Sequence, residues 1–133
     1  MKILFRLAFW LYAAIIIWLS LSSPNGIVKF SLDYSGFRLD YTLHVFGFVL
    51  MPIICFLASG KGENRYLWWI NIGLSFLIAI GAEYMQMLVP GRRFNPLDIL
   101  FNLLGLFIGL AFVLIYNRIV EKSSKMNSQN EYK

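Results

Sequence analysis

The chain has 133 residues, of which 59% are hydrophobic and 14% charged. A soluble domain of this size needs far more polar surface, so the composition excludes one and places the chain among membrane proteins, with room for a single compact helical unit. The net charge of +5 comes from twelve Lys and Arg residues scattered along the chain rather than gathered in a patch, which argues against nucleic-acid binding and for topogenic signals.

A spanning helix needs about 20 predominantly apolar residues. The first such run covers 4–21. Lys2 and Arg6 ahead of it, with Ser20 and Ser22 at cleavage-like spacing, give it some character of a signal peptide. Its length and Trp18 near its outer end favour a retained span. Next comes "SSPNGIVKFSLDYSGFRLD", which opens on a turn signal and is mixed enough to lie along the membrane interface or to act as a lid.

The second run, 43–58, is short unless "LDYT" supplies one more turn. It holds Cys55, the only cysteine, so no intrachain disulfide and no thiolate metal site can form. The thiol is read as a packing group. The polar turn "GKGENR" leads to a third run, 66–89, whose "YLWW" marks an interface. "PGRRF" is the next turn, and a fourth run covers 97–116. Alternation of period 2 is absent, and backbone groups in lipid must be satisfied internally. The expected fold is therefore all-α, a polytopic bundle of four transmembrane helices over residues 1–119. The tail at 120–133, "VEKSSKMNSQNEYK", has little to bury and is expected to be disordered.

Charge orients the bundle. With the N-terminus inside, Lys2, Arg6, Lys61, Arg65, Arg118, Lys122, Lys125 and Lys133 are cytoplasmic, against Lys29, Arg38, Arg92 and Arg93 outside. That bias predicts a multi-pass protein of the inner (plasma) membrane with both termini cytoplasmic.

In this topology the unusual polar residues gather at the outer ends of the spans. Asp40 and His44 belong to the second, Glu83 and Gln86 to the third, and Asp98 and Asn102 to the fourth, with Arg92 in the turn between. Asp40, His44, Gly47 and Met51 recur at i, i+4, i+7 and i+11; Asp98, Asn102, Gly105 and Gly109 repeat that spacing. Ser75, Ala79, Glu83 and Gln86 form a comparable stripe, and Gly105 with Gly109 makes a G-x-x-x-G pair suited to close helix approach. Glu83, six residues before Val89, is expected about 9 Å below the outer helix end. At the midplane an acid costs on the order of 3 kcal/mol, less at this depth, so Glu83 is expected to face inward, with a functional role favoured over one as interhelical glue, which asparagine or glutamine would fill more cheaply.

Simpler roles exist for each residue. Gln86 and Asn102 suit helix–helix hydrogen bonding, Asp98 suits a helix N-terminus, and the arginines suit headgroup contact. Turned inward, Arg92 becomes a planar donor for phosphate or carboxylate. Asp40, His44, Glu83 and Asp98 match no strong metal motif, and no metal or cofactor is expected. Ser75 lies deep and carries no nucleophile motif.

At "DYTLH", "EYMQ", "PGRRF" and "DILFNLLG" the sequence resembles the VanZ-like family of bacterial membrane proteins, over about residues 5–118. Tyr41 departs from the pattern, since members often have lysine after the first aspartate; Arg92 is the surviving candidate for an anion contact. The resemblance implies a link to the cell envelope, the namesake being associated with teicoplanin resistance.

Three functions compete. The first engages an anionic amphiphile, a lipid-linked cell-wall precursor or phospholipid headgroup, in an outer-leaflet cavity. There Arg92 would bind the anion, Glu83, His44 and Asp98 would make ligand contacts or acid–base chemistry, and Asp40, Gln86 and Asn102 would support them. The second is a scaffolding subunit with a membrane-protein partner, and the third a proton-coupled transporter of amphiphiles. Whether a reaction occurs is left open.

Overall fold

The structure, a computed structural model, describes residues 2–22 and 39–131, with the side chains of 2–22 and 41–127. The loop at 23–38, read above as interfacial segment or lid, lies outside the described residues. The rest forms four α-helices, α1 Lys2–Leu21, α2 Leu39–Ala58, α3 Arg65–Gln86 and α4 Pro96–Glu131. Each is long and apolar enough to cross a membrane, and large apolar side chains such as Leu11, Phe46, Leu77 and Phe112 face outward. This is an all-α, multi-pass membrane fold. The "LDYT" turn is indeed the first turn of α2.

Two boundaries differ from expectation. α3 ends at Gln86 rather than Val89. Beyond it, Leu88 N bonds Met85 O and Val89 N bonds Gln86 O, each at 3.0 Å. The chain tightens to i→i+3 bonds before Pro90, which cannot continue a helix. Glu83 therefore stands only about 4.5 Å from its helix end at 1.5 Å per residue.

The segment after 120, expected to be disordered, is instead helical through Glu131, with its described side chains exposed. No Gly or Pro interrupts it, Glu121 precedes Lys125 by one helical turn, and the apolar span behind it has already nucleated the helix.

α2 and α4 run parallel and make the closest contact in the bundle. A Cβ on Gly105 would lie 2.4 Å from Val45 O, and one on Gly109 would lie 2.2 Å from Val49 O. The expected glycine pair thus meets two carbonyls one turn apart on α2. Pro52, inside α2, turns its ring to the same seam, with Cδ 3.1 Å from that Gly109 position.

α1 packs on α2 and α3, and α4 packs on the same two helices from the other side. The Tyr12 hydroxyl donates to Gly47 O at 2.6 Å. Ser20 returns its hydroxyl to Ile16 O at 2.9 Å, which satisfies it within the helix. The core holds Phe9, Met51, Cys55, Ile72, Ala79, Leu106 and Val113. Cys55 is the packing residue the sequence suggested, with Sγ 3.5 Å from Ser75 Oγ. At the end carrying the 59–64 turn, Lys2 pairs with Glu63. The polar stripes lie at the opposite end.

Candidate functional site

The first turns of α2, the last turn of α3, the 87–95 connection and the first turns of α4 converge at one end of the bundle. The expected α3 stripe faces inward: Ser75, Ala79, Glu83 and Gln86 are all buried. Glu83 is 0% exposed and Asn102 1%.

Asn95 organises this end, and the sequence reading missed it. Its backbone N–H donates to Glu83 Oε1 at 2.8 Å. Its amide donates to Asp98 Oδ1 at 2.8 Å, and its Oδ1 accepts from Leu97 N at 3.2 Å. Asn95 is thus the N-cap of α4, and the signal was present in "NPLD": a capping residue, proline at the first helical position and an acid three residues on. The acid was noticed for its charge, whereas the cap that aims it was passed over.

From Asp98 the contacts continue across α2. Asp98 Oδ2 lies 3.8 Å from His44 Nε2, and His44 Nδ1 lies 2.8 Å from Asn102 Oδ1. Asn102 Nδ2 donates to Ala79 O at 2.9 Å. A backbone carbonyl only accepts, so the amide orientation of Asn102 is fixed, and its Oδ1 requires a proton on His44 Nδ1. Nε2 is left toward the Asp98 carboxyl. Glu83, Asn95, Asp98, His44 and Asn102 therefore form one sequence of contacts joining three helices.

Arg92 reaches the same region. Val89, Pro90, Gly91 and Arg92 form a turn with Arg92 N bonded to Val89 O at 3.1 Å and Gly91 at φ 85°. Proline at the second place and a left-handed glycine at the third are the type II pattern. The turn sends Arg92 back toward α3, where Nη1 donates to Gln86 Oε1 at 2.9 Å. Arg93 remains exposed. Asp98, His44 and Arg92 are the titratable neighbours near enough to act on Glu83.

Two polar atoms here are buried without a hydrogen-bond partner, Glu83 Oε2 and Arg92 Nε. One is a carboxyl oxygen and the other an obligate donor. Leaving either unsatisfied costs about 1–3 kcal/mol, more for a charged group.

The remaining candidates separate. The side chain of Asp40 lies outside those described. Tyr41 stacks on Phe101, ring centroids 4.4 Å apart, and so lies in the α2–α4 contact. Ser75 gives its hydroxyl to Asn71 O at 2.8 Å. Among the described residues no group of three or more His, Cys, Asp or Glu side chains is arranged to hold a metal ion.

A family model described as VanZ/LLP1 matches residues 9–117, which includes every one of these positions. No curated protein and no solved structure matches the chain.

Proposed function

Because the chain belongs to the VanZ-like family, we propose that it is a cell-envelope membrane protein that engages the headgroup of an anionic amphiphile at the Glu83–Arg92 end of the bundle. The class envisaged is a lipid-linked cell-wall precursor or a phospholipid, with a contribution to teicoplanin resistance as its physiological face. The observation that carries this reading is the pair of open buried atoms, Glu83 Oε2 and Arg92 Nε. Arg92 Nε supplies a charge-assisted donor for a phosphate or carboxylate oxygen. Glu83 Oε2 takes a hydroxyl or ammonium of the same headgroup, or moves a proton if a reaction occurs. Its other oxygen is held by Asn95, which fixes the carboxyl plane.

The Lys and Arg bias supports placing this end in the outer leaflet of the inner membrane and both chain termini in the cytoplasm. Glu83 lies only one turn inside the helix end, which supports a headgroup-level depth for this site.

One observation favours a purely scaffolding role. Asn102 ties α4 to α2 through His44 and to α3 through Ala79, which is the behaviour of interhelical polar glue. The two readings part on Glu83→Gln and Arg92→Lys, examined by lipid co-purification and by glycopeptide susceptibility. Weakened binding and altered susceptibility in both, with the fold intact, support the headgroup site. Unchanged results in both variants remove it in favour of the scaffold.

A further inference from the structure

The opposite end of the α2–α4 seam carries a feature that the headgroup site does not use. A half-open groove of about 140 Å³ runs between the two helices, walled by Ile53, Phe56, Phe112, Val113 and Tyr116, with Lys61 at its mouth. An apolar cavity of about 150 Å³ is large enough to hold a benzene ring. This groove therefore suits a short stretch of acyl chain in size and in chemistry.

The turn that presents Lys61 is built for it. Gly60, Lys61 and Gly62 all have positive φ, at 74°, 59° and 83°. For lysine this left-handed conformation is unfavourable and persists only where surrounding contacts enforce it. Those contacts are present. Lys61 N bonds Phe56 O at 2.9 Å, Ser59 Oγ donates to Phe56 O at 2.8 Å, and Gly62 N donates to Ser59 Oγ at 3.1 Å. Phe56 is thus both a wall of the groove and the anchor of the turn that holds the cation above it.

Charge completes the match. The acid nearest in the turn, Glu63, is engaged by Lys2, and among the described residues Lys61 has no carboxylate within ion-pair distance. Arg65 adds positive charge at the same end. An apolar crevice below an unneutralised ammonium is complementary to one molecule class, a phospholipid with a net negative headgroup. We propose that this groove is a second lipid site, holding one acyl chain of an anionic phospholipid whose phosphate rests on Lys61. Phe56 lies twelve residues beyond His44, about 18 Å along α2, which places the groove toward the other leaflet.

The test is native mass spectrometry of the detergent-purified chain titrated with dioleoylphosphatidylglycerol or dioleoylphosphatidylcholine. Wild type is expected to retain phosphatidylglycerol in preference. Lys61→Gln, at an exposed turn position, is expected to weaken that retention about fivefold, the worth of one lysine at a membrane surface. Ile53→Phe, which narrows the crevice, is expected to weaken retention of both lipids, with circular dichroism confirming the fold. Arg92→Gln separates this site from the headgroup site. Loss of phosphatidylglycerol in Lys61→Gln supports the groove whatever Arg92→Gln does. Loss in Arg92→Gln alone, loss in neither variant, or equal retention of the two lipids by wild type overturns it.

Discussion

His44 and Asn102 meet at 2.8 Å, Nδ1 to Oδ1, and Asn102 spends the other half of its amide on the Ala79 carbonyl. One side chain on α4 therefore sets the tautomer of the imidazole on α2 while fastening itself to α3. In ¹⁵N NMR of histidine-labelled protein, Nδ1 is expected to carry the proton. Asn102→Leu removes both bonds and leaves a part-buried imidazole nitrogen open, at a cost of about 1–3 kcal/mol in stability. A spectrum with Nε2 as the only protonated nitrogen would contradict the assignment.

The parallel seam makes a sharper forecast. Alanine at Gly105 or Gly109 brings a methyl within 2.4 or 2.2 Å of an α2 carbonyl. Backbone cannot yield as a side-chain tip can, so each substitution is expected to destabilise by at least about 1–3 kcal/mol. Gly73 and Gly81 have nothing within 4 Å of an added Cβ. Alanine there is expected to stabilise by about 0.5–1 kcal/mol through lower chain entropy. Unfolding of the four variants in mixed micelles measures the contrast, and equal effects would show that the seam is looser than described.

Asn95 offers a test of the cap. Asn95→Ala retains the backbone donor to Glu83 but loses the bonds to Leu97 N and Asp98, an expected loss of about 1 kcal/mol. Asn95→Asp keeps a capping oxygen yet sets an acid against Asp98 Oδ1. The thermal midpoint of Asn95→Asp is expected to recover at low pH, as protonation relieves the repulsion, while that of Asn95→Ala does not. Parallel behaviour of the two variants would count against the Asn95–Asp98 contact.

The Lys2–Glu63 pair predicts a pH response at the other end. Hydrogen bonding and charge from Lys2 hold the Glu63 carboxyl below its ordinary value of 4.5. A depressed acid contributes its stabilisation above the ordinary value and loses it as pH falls through the lowered one. Amide exchange in the 60–63 turn, where Glu63 N bonds Gly60 O, is therefore expected to show more opening once Glu63 protonates, after correction for intrinsic rates. The pair is exposed, so salt should mimic the effect in part. A turn whose protection is indifferent to both would show the pair to be inert.

Orientation is open to cysteine chemistry, because the native thiol of Cys55 is fully buried. In intact cells, a membrane-impermeant maleimide is expected to label Arg93→Cys and to miss Lys125→Cys. The reverse pattern would invert the topology and move the headgroup site to the cytoplasmic leaflet.

How much of this was legible in the sequence follows from what each signal encodes. Apolar length found the four spans, and i, i+4 spacing found the inward faces of α3 and α4, because burial in a bundle imposes both. The Gly105–Gly109 pair announced a close approach, but not that α2 supplies the partner, since spacing carries no information about which helix arrives. The depth of Glu83 was overestimated because Met87, Leu88 and Val89 are apolar enough to continue a span, and only the backbone restriction imposed by Pro90 ends it. Asn95 escaped because its contribution is a cap and a backbone donor, neither of which shows as charge. The helical stretch after 120 escaped because low burial says nothing about local propensity once a helix is running.

The parallel pairing of α2 with α4 has a consequence for how the protein is made. Neighbours that run the same way cannot be joined by a tight loop, so a whole crossing, α3, is threaded between their syntheses. When α2 leaves the translocon, His44 has no Asn102 to meet and the Val45–Val49 face has no glycines to receive it. α3 then brings Glu83 before Asn95 exists. A nascent chain halted before residue 95 would hold these groups unmatched in the bilayer, a ready substrate for membrane quality control, and emergence of the last span is the step that retires that signal.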